Sequence, residues 1–71
     1  MNCIIVDDEE LARAIIHHFA SIHPQIADSK EFDSGIAAIK YLNTNPKVDL
    51  IFLDIHMPNF NGFDFIQTIN S

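Results

Sequence analysis

Two apolar runs that do not alternate, each stopped abruptly by a carboxylate, constrain this chain more than any other feature. Cys3-Ile4-Ile5-Val6 ends on Asp7-Asp8, and Leu50-Ile51-Phe52-Leu53 ends on Asp54. A strand that is apolar at successive positions is covered on both faces, the situation of a parallel sheet with helices above and below. Residues 2–6 and Val48–Leu53 are therefore expected to be strands, with Asp49 as an interruption at the start of the second. A weaker strand is expected over residues 26–32.

The segments between these strands read as helices. Leu11, Ala12, Ile15, Ile16, Phe19 and Ile22 recur at helical spacing, with Arg13, His17 and His18 assigned to the outer side and Pro24 as the stop. Asp7-Asp8-Glu9-Glu10 suits the positive N-terminal end of that helix. Asp33-Ser34-Gly35 offers capping chemistry for a short second helix over residues 36–42, closed by Asn43-Thr44-Asn45-Pro46. After the loop formers of Met57-Pro58-Asn59-Phe60-Asn61-Gly62, a third helix is expected from about residue 60 onward, with Ile66 and Ile69 inward. Strand and helix alternating across short loops imply βαβ units with right-handed crossovers, an α/β architecture of three layers around a parallel sheet.

In such sheets the functional crevice lies beyond the carboxyl ends of the strands. Asp7, Asp8 and Asp54 all fall there. Three carboxylates brought together repel one another unless a cation compensates them, and an all-oxygen set suits Mg²⁺. A metal beside a carboxylate also favours phosphoryl chemistry, because aspartate is a competent nucleophile for it. The alternative for the acidic run is simple stabilisation of a helix terminus.

Composition narrows the partners. Ten acidic and four basic residues give a formal net charge of -6, which opposes direct binding to nucleic acid or to an anionic membrane. No apolar run approaches the length of a membrane span, and the opening residues lack a basic segment. With a single cysteine, no intramolecular disulfide is possible, so a reducing, cytoplasmic setting is expected, with Cys3 as a buried, inert thiol. Adjacent His17 and His18 point in different directions on a helix, so neither they nor His23 and His56 suggest a zinc site; solvated histidines are expected.

The motifs Ile4-Ile5-Val6-Asp7-Asp8-Glu9, Leu50-Ile51-Phe52-Leu53-Asp54 and Ile55-His56-Met57-Pro58 followed by Asn61-Gly62 resemble the receiver domain of two-component response regulators. The opening Val-Asp-Asp-Glu-Glu-Leu-Ala and the Asp-Ile-His-Met-Pro element look most like receivers that precede LytTR-type DNA-binding domains. The resemblance runs through the whole chain. It implies a flavodoxin-like receiver fold with strand order 2-1-3-4-5, truncated here after the third βα unit, so that residues 1–71 are a partial receiver domain.

The resemblance also implies roles. Asp54 falls at the phosphoacceptor position, Asp8 at a direct Mg²⁺ ligand, and Asp7 at a carboxylate acting mostly through water. His56 would lend its backbone carbonyl to the metal, while its side chain borders the pocket where the family tunes phosphoryl lifetime. The donor would be a phosphohistidine on a sensor histidine kinase, docked largely on the first helix, roughly residues 9–22. Such a domain is not itself an enzyme. The fourth and fifth strands, which in the family carry a Ser or Thr and a Lys to the phosphoryl group, have no counterpart before Ser71. The third strand would then be an open, apolar edge, which predicts a homodimer formed by pairing that edge with a second copy. Two other functions compete. One is a self-associating remnant without phosphotransfer. The other is a Mg²⁺-dependent phosphatase-like enzyme, opposed by the lack of a second Asp two residues beyond Asp54.

Overall fold

The computed structural model describes residues 1–45, 47–54, 56–57, 60–61 and 65–68, with only the backbone described at 56, 57, 60 and 61. Its order is β1 (Asn2–Val6), α1 (Glu10–Ile22), β2 (Asp28–Phe32), α2 (Gly35–Thr44), β3 (Leu50–Leu53), β4 (His56–Met57) and β5 (Phe60–Asn61). Residues 65–68 are helical and belong to the third flanking helix. β1 lies at the centre of a parallel sheet of order β2-β1-β3. The fold is the expected three-layer α/β one, flavodoxin-like through the third βα unit.

Register assigns the two faces. Val6 stands opposite Phe32 on β2 and Leu53 on β3, and Ile4 opposite Ile51. Ile4 and Val6 are buried with Ala38 of α2 and Phe65, and Phe32, Ile39, Tyr41, Leu42, Ile51 and Leu53 pack around them. This face is the core. Burying each Ile or Phe side chain contributes roughly 1.5–3 kcal/mol. Cys3 and Ile5, also buried, point to the other face, beneath α1.

The ends of the elements have local causes. The Ala37 N–H donates to the Ser34 hydroxyl oxygen at 3.1 Å, so the expected cap starts α2, one residue earlier than the apolar spacing suggests. β3 begins at Leu50 rather than Val48; just before it, the Asp49 N–H donates to the Asn2 carbonyl (2.8 Å) and the Asn2 N–H to the Asp49 carboxylate (2.9 Å). β2 was faint in the sequence because it is an edge strand with little apolar surface: Ser29 and Glu31 meet α1, and Lys30 lies over the Tyr41 ring.

Two expectations are corrected. Phe60 and Asn61 are extended, pairing antiparallel with Met57 and His56, so the third helix does not begin at residue 60. Its inward residue is Phe65, while Ile66 is exposed; Ile69 lies outside the described residues. The second correction concerns α1. Arg13 and His17, expected on the outer side, instead meet Glu31 and Ser29 of β2. The long apolar residues Leu11, Ile15, Phe19 and Ile22 are 73%, 50%, 62% and 65% exposed. The helix turns Ala20, which is buried, and half-buried Ala12 and Ile16 to the sheet. In this orientation Arg13 and His17 lie against the polar β2 strand, within reach of Glu31 and Ser29.

Candidate functional site

The site is built where the strands end. β1 runs out at Val6 and β3 at Leu53, and these two residues are register partners. The next residue of each strand is Asp7 and Asp54, and the Asp54 N–H donates to the Val6 carbonyl at 2.9 Å. Parallel pairing thus carries two carboxylates to one edge of the sheet, and Asp8 follows directly. One carboxylate oxygen from each of Asp7, Asp8 and Asp54 lies within 4.8 Å of the others. Asp7 is buried, Asp54 half-buried and Asp8 exposed.

Bonds from three directions hold Asp7. Its N–H donates to the Phe32 carbonyl (3.1 Å), its Oδ1 accepts from the Glu9 N–H (2.9 Å), and its carbonyl accepts from the Arg13 guanidinium (2.7 Å). The Asp7 carboxylate therefore does part of the N-terminal work for α1, whose N-cap Glu9 makes no side-chain cap bond. Capping and clustering are compatible, because a carboxylate has two oxygens.

Like charges brought this close repel one another, the more so where they are withdrawn from water, as Asp7 and half-buried Asp54 are. A divalent cation removes that penalty, and the donors are hard oxygens without nitrogen or sulfur, so the residues fit a metal ion of that class. Among the described residues no His or Cys joins a potential metal-binding group, which leaves zinc without its usual ligands. His18 and His23 are exposed, as expected. His17 is not simply solvated: its Nδ1 lies 2.8 Å from the Ser29 hydroxyl and 3.8 Å from Glu31 Oε2. The side chain of His56 lies outside the described residues. The part that sequence reasoning missed is Arg13. Its signal was an arginine one helical turn inside α1, close enough to reach back to the strand end.

Comparison with known proteins agrees with this geometry. The response regulator receiver domain model matches residues 3–71. The chain belongs to that family, whose members accept a phosphoryl group rather than turn over a substrate, and its carboxylate cluster is that of a phosphoacceptor domain. It is similar to the sensory transduction protein LytT of Enterococcus faecalis, 41% identical over 69 residues, 97% of this chain and 28% of LytT. It is also similar to protein MrkE of Klebsiella pneumoniae, 40% identical over 99% of this chain and 26% of that protein. The transcriptional regulatory protein YpdB of Escherichia coli K12 is 39% identical over 99% of this chain and 28% of its own length. The chain spans about a quarter of the length of these curated relatives. No solved structure matches it. Among the described residues, no helix is long and apolar enough to cross a membrane.

Proposed function

We propose that residues 1–71 form the first three βα units of a receiver domain in which Asp54 accepts a phosphoryl group from a sensor histidine kinase. The observation that carries the reading is the convergence of Asp7, Asp8 and Asp54 at the carboxyl ends of β1 and β3. An Asp54 carboxylate oxygen attacks the phosphorus, the bond from phosphorus to the donor imidazole nitrogen breaks, and its electron pair stays on that nitrogen. The product is an acyl phosphate. Asp8, Asp54 and the His56 backbone carbonyl are the proposed Mg²⁺ ligands, with Asp7 acting through water. When bound, Mg²⁺ neutralises charge on the phosphoryl oxygens. Exposed Leu11, Ile15, Phe19 and Ile22 make α1 a suitable apolar docking face for the kinase. The names of LytT and YpdB suit a role in transducing a signal to transcription, and the reading places that role in the cytoplasm.

The test is incubation with acetyl phosphate and Mg²⁺, read by intact mass. One phosphoryl adduct is expected on the wild-type chain and none on Asp54→Asn. An adduct that survives the substitution moves the acceptor elsewhere.

One observation favours a second reading, the self-associating domain without phosphotransfer. Among the described residues β3 pairs with β1 alone, and its apolar outer edge can template a second copy. Sedimentation resolves this: a dimer that takes up no phosphoryl group and no Mg²⁺ supports the second reading, and a phosphorylatable monomer removes it.

A further inference from the structure

Beyond its last ladder pair with β2, β1 enters a turn that must deliver both Asp7 and Asp8 to the site. The peptide joining these residues is planar, so the direction of the Asp7 carbonyl fixes the plane and with it the position of the Asp8 Cα. That carbonyl belongs to a buried residue, and the partner it finds is the guanidinium of Arg13, at 2.7 Å. This is the short end of the range for charge-assisted hydrogen bonds. The Arg13 side chain is only 16% exposed, and its Nε stands 3.8 Å from Glu31 Oε1. The guanidinium thus bridges a strand end on one side and an edge strand on the other. Its own backbone N–H donates to the Glu9 carbonyl (3.1 Å), tying the base of the side chain to the same turn.

We propose that Arg13 is a positioning residue of the carboxylate site: it locks the Asp7–Asp8 peptide against β2 so that the two carboxylates meet Asp54 preorganised for a divalent cation. The proposal rests on the metal-assisted reading above. Arg13 touches neither metal nor phosphoryl group in this role. Glu31 orients the guanidinium, and its longer contact makes it the lesser partner. A lysine in place of Arg13 carries the charge but lacks the fork that spans carbonyl and carboxylate together, so it restores only part of the effect.

The experiment titrates Mg²⁺ into the 71-residue chain and its variants by calorimetry, with amide exchange at Glu9 followed in parallel and unfolding checked by circular dichroism. Loss of a residue that orients metal ligands weakens metal affinity by about 10-fold at the lower end of the usual range, which is the expectation for Arg13→Ala. Arg13→Lys should recover part of that loss, and Glu31→Gln should lose less than Arg13→Ala. Phosphorylation of Arg13→Ala by acetyl phosphate should fall at subsaturating Mg²⁺ and return towards wild type when Mg²⁺ saturates. Folded Arg13→Ala that binds Mg²⁺ as the wild type does overturns the proposal, and so does a Lys variant as impaired as the Ala one. If Arg13→Ala does not fold, the Lys and Gln variants decide: weakened Mg²⁺ binding supports the proposal, and unchanged binding in both overturns it. A wild-type chain that binds no Mg²⁺ overturns the functional reading instead. The positioning role is then judged from exchange at Glu9, faster in Arg13→Ala if it holds and unchanged if it fails.

Discussion

The two faces of the sheet are built on different principles. On the α2 face, Ile4, Val6, Ala38 and Phe65 are buried together, and the half-buried apolar residues around them close the layer. On the α1 face, buried Cys3 and Ile5 lie next to a polar seam, in which Arg13 and His17 meet Glu31 and Ser29. Beside that seam runs an apolar groove lined by Ile16, Phe19, Ala20, His23, Ile26 and Phe52. The α2 face supplies most of the cohesion of the fold. The α1 face supplies the bonds that orient Asp7 and leaves apolar surface for another body. A small domain can therefore divide stability and site geometry between the opposite sides of one strand.

Truncating one large apolar residue on each side separates the two faces most strongly. Phe65→Ala removes a fully buried ring and is expected to cost about 3–5 kcal/mol. A chain of this length has a stability of only about 4–11 kcal/mol, so urea titration should find the midpoint of that variant far below that of the wild type. Phe19→Ala, on the exposed stripe of α1, should stay within about 0.5 kcal/mol of wild type. Equal losses would mean that the α1 face is as closely packed as the other, and the division would fail.

The next effect lies where the two faces meet, at the strand ends. Asp54→Asn should abolish the phosphoryl adduct. Without Mg²⁺ it should also stabilise the fold by roughly 1 kcal/mol, by removing one charge of a repelling set that water partly screens. Saturating Mg²⁺ should erase that gain, because the wild type then has its charges compensated. Thermal unfolding with and without the ion reads both signs.

How legible this was in the sequence follows the same division. β1 and β3 were plain, because strands buried on both sides are written in runs of Ile, Val, Leu and Phe, and their terminal Asp residues gave the site at once. Ser34 announced its helix start. The rotation of α1 was not legible, since periodicity records which residues share a face and not which face meets the sheet. Leu11, Ile15, Phe19 and Ile22 are the more apolar side, yet Arg13 and His17 are the residues that meet Glu31 and Ser29 of the sheet. Arg13 was missed for that reason. The start of the third helix is not legible either, because Phe60 and Asn61 carry no signal separating a short extended pair from a first helical turn.

Helix starts give a smaller contrast. α2 opens on a side-chain cap and α1 does not. Ser34→Ala should cost about 1 kcal/mol, whereas Glu9→Ala should change stability by no more than a few tenths, because the bond at that position uses the Glu9 backbone. Chemical denaturation of the two variants side by side checks it. A large loss in Glu9→Ala would mean that its side chain has a stabilising partner at the start of α1.

The smallest effect tests how well the α1 face excludes water at β1. Burial, helped by the nearby charge of Asp28 and opposed by the amino terminus, raises the Cys3 thiol above its ordinary 9.0. The unfolded chain loses that proton near the ordinary value, while the folded chain holds it to higher pH. Above the ordinary value the native state therefore binds more protons than the unfolded one, and the contribution of Cys3 to stability falls as pH rises through the folded pKa. Other groups titrate in the same range, so the informative quantity is the difference between wild type and Cys3→Ala. Urea unfolding from about pH 8 to about pH 10 should show that difference drifting against the wild type. A flat difference, with the native thiol reacting readily with a disulfide reagent, would mean that water reaches Cys3 from the cavity it lines with Asn2, Asp28 and Tyr41, and that the start of the central strand is not sealed.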